Sequence, residues 1–329
     1  MKMEVFKNGI NLFVVVFLLS LCSCASLSQR PVQESTIAYS LYDEMDLQSH
    51  FAPVFIVENG NRDYNRIGRP VAIVEEGKEE VVIDPDVATY YLSTRRFATE
   101  QGSYTNLIYR IHFQKIPFSI VPFHLGSGRN VGLLAVVTLN SRNEVVLYSL
   151  LHTCGCYLAF IPTSNLPEED LPIDWKKGRQ NVFTENLPSH LTFSQGGADE
   201  LLFVQMREET HRVKNVWLAE IDELEGFKVI KPNLQPFYSL ENLVSATGEH
   251  TSFYETSGPR TGYVKGSQKI WEKILISWWA FDWRVGEDKK LGRDTSEGNV
   301  FYTSIKPWAR EESDLRDFPR FLKYWGWRL

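Results

Sequence analysis

Short apolar and β-branched runs recur along the chain between turn-forming clusters, and this pattern predicts a strand-rich body. Strands are expected over residues 53–57, 70–75, 80–83, 106–113, 131–139, 145–160, 201–206, 213–221, 227–230 and 270–279. The clearest hairpin joins 131–139 to the strand beginning at Val145 through the polar loop Asn140-Ser141-Arg142-Asn143. Both strands are apolar on both faces, which places them inside a sheet and not at its edge. Near the end of the chain Phe318, Phe321, Leu322 and Trp325 fall at helical spacing, with Asp317 positioned to cap and Pro319 in the first turn. The expected fold is mainly β, with α+β as the alternative: an antiparallel sandwich-like or barrel-like body with a few helices, one of them short and C-terminal. No repeat period suggests a propeller or solenoid. Residues 162–190, rich in Pro and carboxylates, read as a long connection and a candidate divide between two subdomains of a 37–329 domain.

Charge narrows the classes of partner. The chain has 329 residues, with 35 Lys and Arg against 41 Asp and Glu. A mildly acidic protein without a basic tract is a poor match for nucleic acid, whose binding rests on neutralising phosphates. The most apolar segment after the N-terminus, 274–281, is eight residues long and is followed by Asp282, far short of the about 20 residues a spanning helix needs.

The N-terminus carries an address. Lys2 and Lys7 precede an apolar run over residues 12–21, too short to span a bilayer and suited to the core of a secretory signal. The following Leu21-Cys22-Ser23-Cys24 resembles the lipobox of bacterial lipoproteins, with Cys24 after the small Ser23, whereas Cys22 follows the bulky Leu21. An ordinary signal peptide cut after Ala25 is the alternative. The resemblance implies a signal over residues 1–23, acylation of Cys24 by chains such as palmitate, and a polar tether over 24–36. It further implies a place in the cell envelope. Ala25 and Ser26, rather than an acidic residue, follow Cys24, which favours the periplasmic face of an outer membrane in a host that has one. Loss of Lys2, Lys7 and Glu4 with the signal leaves 33 basic and 40 acidic residues, a net charge of −7.

One constellation in the mature chain carries chemistry, namely His152-Thr153-Cys154-Gly155-Cys156. In a strand running straight from Val145, His152, Cys154 and Cys156 share one face. Three readings stand open. The cysteines are buried packing or a disulfide bent at Gly155; or they hold Zn²⁺ or Cu⁺ together with His152, with His112 and His124 as candidate further ligands; or His152 activates a redox or nucleophilic thiol.

Other features read more plainly. His112 falls on a polar strand face with Asn106, Arg110 and Gln114, and is expected to be exposed unless it lines a cleft. His124 leads into Leu125-Gly126-Ser127-Gly128-Arg129, expected to be a turn. Glu208, Glu209 and His211, with Arg207 and Arg212, have the composition of a hairpin tip. Trp278, Trp279, Phe281 and Trp283 form the densest aromatic patch; strand alternation puts Trp279, Phe281 and Trp283 on one face, either as core or as a platform for a ligand. Two functions from different classes follow. The first is an envelope binding or accessory module for another envelope protein or a small ligand, and the second is a metal-binding or thiol-dependent protein centred on His152, Cys154 and Cys156.

Overall fold

Alternation along Leu107, Tyr109, Ile111 and Phe113 turns one face of the strand Ser103–Ile116 into a shared core, and the same rule builds its neighbours. The computed structural model describes residues 35–43, 46–194, 199–245 and 248–329. Cys24 and the signal therefore lie outside the described residues. A six-stranded sheet runs in the order Asn233–Pro236, Thr89–Ala98, Ser103–Ile116, Gly128–Leu139, Val145–His152, Leu158–Pro162. It is antiparallel except at the Asn233 edge. A second, five-stranded sheet runs Val213–Ala219, Leu201–Met206, Val54–Val57, Ile37–Tyr39, Lys228–Ile230 and mixes parallel with antiparallel pairs. The two sheets share one core, joining Phe55, Leu202 and Val204 to Tyr109, Leu133 and Leu150. The result is a sandwich, and neither sheet closes into a barrel.

The expected hairpin is present, with Leu139 opposite Val145 and Leu133 opposite His152, and both of its strands are interior. Their apolar second face has a physical cause: the C-terminal segment lies over it, packing Leu315, Phe318, Phe321 and Leu322 against Leu134, Val136 and Leu151. The C-terminal helix, Phe318–Tyr324, starts where expected, with the Asp317 side chain accepting from Arg320 N. Ser35–Leu329 forms one compact unit, and residues 162–190 contain a small hairpin, Arg179–Val182 with Glu185–Pro188.

Two expected strands are corrected. The run 145–160 is two strands joined by a turn. The run 270–279 is a helix, Ile270–Ala280, closed by Phe281 in the left-handed conformation. Its β-branched and aromatic content mimics a strand, but its buried residues are Glu272, Ser277 and Ala280, so the helix turns its polar side inward. Among the described residues no helix is long and apolar enough to cross a membrane.

Candidate functional site

The strand Val145–His152 ends where the cysteines begin. Gly155 adopts φ +82° and its backbone N–H bonds back to His152 O at 2.8 Å, making a turn of Thr153–Cys156. A side chain at this glycine is excluded twice over, because a Cβ there would sit 2.1 Å from Tyr302 O. Strand alternation therefore does not bring the sulfurs together; the turn does. Both cysteines are free, Cys154 buried and Cys156 partly exposed, and the Cys156 N–H donates to Cys154 Sγ at 3.3 Å. The imidazole of His152 stacks on Tyr157 with centroids 5.0 Å apart, and its Nε2 lies 3.0 Å from His211 O. A carbonyl accepts only, so that contact places a ring proton on Nε2.

Residues distant in sequence supply the charge. Lys269 Nζ pairs with Asp288 Oδ2 at 3.2 Å, both side chains almost wholly buried. Asp288 also accepts from Thr153 Oγ1, and Lys289 Nζ donates to Cys154 O, which fixes the cysteine turn to residues 288–289. Cys156 Sγ lies 3.7 Å from Glu272 Oε2, so its one S–H is shared between that carboxyl group and Cys154 Sγ. The two thiols are driven apart. Cys154 is held well below the usual thiol range, first by the hydrogen bond from Cys156 and then, against the effect of burial, by the Lys269 ammonium and His152. Cys156 is pushed well above that range by the hydrogen bond its S–H donates to Cys154, by burial, and by the charges of Cys154 and Glu272. Burial, outweighing the attraction of Lys269, raises Glu272 to about 7. Burial would lower Lys269, but Asp288 and the acidic groups around it overcome this and keep it charged.

These groups open into a cleft of about 570 Å³. Its walls come from Pro122–Gly126, the hairpin tip Arg207–Arg212 and the Phe183–Glu185 turn. Arg207 grips the buried Glu185 through two bonds of 2.6 and 2.7 Å, a bidentate pair that stiffens one wall. His124 lines the same cleft, with Nδ1 3.0 Å from Pro117 O and Nε2 3.5 Å from Glu209. The segment after it is a turn, and Arg129 is paired with Glu80 at 2.7 Å.

His112 is corrected: it is fully buried, not exposed on a polar face. Arg110 Nε donates to its Nε2 at 3.2 Å, and its ring lies between Tyr91 and Phe253. Burial, aided by the Arg110 charge, keeps it neutral, and it does not line the cleft. Among the described residues no three His, Cys, Asp or Glu side chains are grouped so as to hold a metal ion. The aromatic patch is corrected too. Trp278, Trp279, Phe281 and Trp283 are all exposed on or just after a helix, so they are not divided between two strand faces.

Sequence reasoning missed Lys269, Glu272 and Asp288. A lone carboxylate in the apolar run Ile270–Ala280 was the one available signal for Glu272; nothing marked the other two. No family model, curated protein or solved structure matches this chain.

Proposed function

We propose that this chain is a lipid-anchored protein of the bacterial cell envelope whose cleft performs thiol–disulfide exchange. The observation that carries the reading is the unequal setting of two free cysteines with one residue, Gly155, between them. Cys154 faces an imidazole and a buried ammonium, while Cys156 faces a carboxyl group poised to take its proton. A nucleophilic thiolate next to a protonated resolving thiol is the arrangement that exchange needs.

The steps balance with a substrate disulfide R–S–S–R′ as oxidant. The Cys154 thiolate attacks one substrate sulfur, forming Cys154–S–S–R and releasing R′–S⁻. Glu272 then takes the Cys156 proton, and the Cys156 thiolate attacks the Cys154 sulfur. R–S⁻ leaves, and Cys154 and Cys156 remain joined. Gly155 supports the last step, since its left-handed backbone already folds the two cysteines toward each other. The substrate emerges reduced and the protein oxidised by two electrons; the reverse sequence oxidises a dithiol.

Reacting the protein with oxidised glutathione and reading intact mass tests this. Wild type is expected to lose two hydrogens without retaining glutathione. Cys156→Ser is expected to accumulate one glutathione adduct on Cys154, and Cys154→Ser to react at least tenfold more slowly. Equal reactivity of the two single variants, or an adduct that persists in wild type, would overturn the assignment.

A further inference from the structure

The helix Ile270–Ala280 is inside out. Glu272 is only 7% exposed, whereas Ile270, Ile274, Leu275, Trp278 and Trp279 face outward, and Trp278 is 69% exposed. The patch extends beyond the helix: Trp271 stacks on Phe118 and meets Phe123 edge-on, at 5.9 and 5.7 Å, and the tip of that loop carries Ile120 and a 90% exposed Val121. Phe281 and Trp283 lie at its other end. So large a contiguous apolar surface on a folded protein marks an interaction site.

We infer that this face docks on the surface of a lipid bilayer, with the loop at Ile120–Val121 and the helix residues Ile274, Trp278 and Trp279 entering the headgroup region. The chemistry of the patch selects the occupant. Over residues 116–124 and 270–283 the carboxylates are the inward-turned Glu272 and the half-buried Asp282, which accepts from Tyr302 Oη, and the one exposed charge is Lys273. A protein interface of ordinary size needs about one hydrogen bond per 100–200 Å², and this face offers few polar groups beyond Lys273 and the indole N–H groups. Tryptophans with a lysine between them are instead the residues that favour a membrane–water boundary, above all an anionic one.

The inference rests on the lipid-anchor reading for how the face meets the membrane. Ten residues separate Cys24 from Ser35, so the tether reaches at most about 40 Å. A domain of this size has a radius of gyration of about 19 Å, so an acylated Cys24 keeps the body within reach of the bilayer. Pro122 and Phe123 belong both to this surface and to the cleft wall, so docking would bring the cleft mouth down to the headgroups and favour disulfides of other membrane-bound proteins.

The test uses the mature chain beginning at residue 24, with Cys24→Ser so that no acyl chain contributes. Cosedimentation with phosphatidylethanolamine–phosphatidylglycerol vesicles is expected, with tryptophan emission shifted to the blue and quenched by brominated acyl chains. Trp278→Ser with Val121→Ser, both surface positions, is expected to lower the partition roughly tenfold or more with an unchanged circular dichroism spectrum. Failure of the parent to bind vesicles would overturn the inference, as would binding that the double variant leaves intact. Dimerisation in sedimentation equilibrium that the double variant abolishes, without vesicle binding, would overturn it in favour of a second copy of the chain. The anchor reading fails separately, if Cys24→Ser in cells leaves lipidation unchanged.

Discussion

Glu272 concentrates the residue-scale logic of the site. Its carboxyl group is wedged so tightly that a Cβ on Gly286 would fall 1.8 Å from Oε2 and one on Gly126 3.2 Å from Oε1, and that enclosure raises it to about 7. The step that closes the Cys154–Cys156 bond is therefore expected to quicken with pH up to about 7 and then level off. Glu272→Gln should move the rise to the higher pH at which Cys156 ionises unaided, as stopped-flow measurement of thiol release would read. Stability carries the same signature with a definite sign. A carboxyl whose folded pKa lies above its ordinary 4.5 binds a proton on folding, so its contribution is complete below 4.5 and is lost as pH rises through about 7. Relative to Glu272→Gln, the wild type should lose on the order of 3 kcal/mol across that interval in urea titrations, and parallel pH curves would refute it. Sequence alone displayed His152, Cys154 and Cys156 but not their setting, because Glu272 lies 116 positions from Cys156 and Asp288 lies 135 from Thr153.

At the scale of elements, legibility followed how fully local signals agreed. The C-terminal helix was readable because cap, proline and apolar spacing all named the same start, and the structure has Asp317 accepting from Arg320 N at 3.3 Å. Asp317→Ala is expected to cost about 1 kcal/mol, seen as a lower urea midpoint at unchanged slope; an unaltered midpoint would mean the cap contributes nothing. The strands at 131–139 and 145–152 were readable because apolar residues on both faces fit only an interior strand. Thr89–Ala98 escaped because its second half alternates Arg95, Phe97 and exposed polar positions, the pattern of a strand half in water. The helix Ile270–Ala280 escaped for the opposite reason. Amphipathic rules assume that the apolar side faces the core, and here the polar side does, since Glu272 serves the cleft and the tryptophans face out.

For the molecule as a whole, the site depends on the layers being assembled together. The cysteine turn lies at the end of an interior strand, yet Glu272 comes from the helix Ile270–Ala280 and Lys269 from its N-cap, His211 from a hairpin of the other sheet, and Tyr302 from the segment that covers the sheet's second face. Trp325 Nε1 donates to Thr303 Oγ1 at 3.0 Å, joining the C-terminal helix to the residue after Tyr302. An isolated cysteine segment lacks the Lys269 ammonium, which acts on Cys154 only when these layers meet. Loss of packing far from the cleft should therefore expose the thiols in the same transition that melts the sheet. Phe321 is fully buried against Phe160 and Phe318, and Phe321→Ala is expected to cost about 3–5 kcal/mol. In that variant the urea midpoints read by far-ultraviolet circular dichroism, tryptophan emission and Cys154 alkylation should fall together and coincide, as a single cooperative unit requires. Alkylation that rises well before the other two signals would mean that the cysteine turn opens on its own, and the dependence of the site on the C-terminal layer would be wrong.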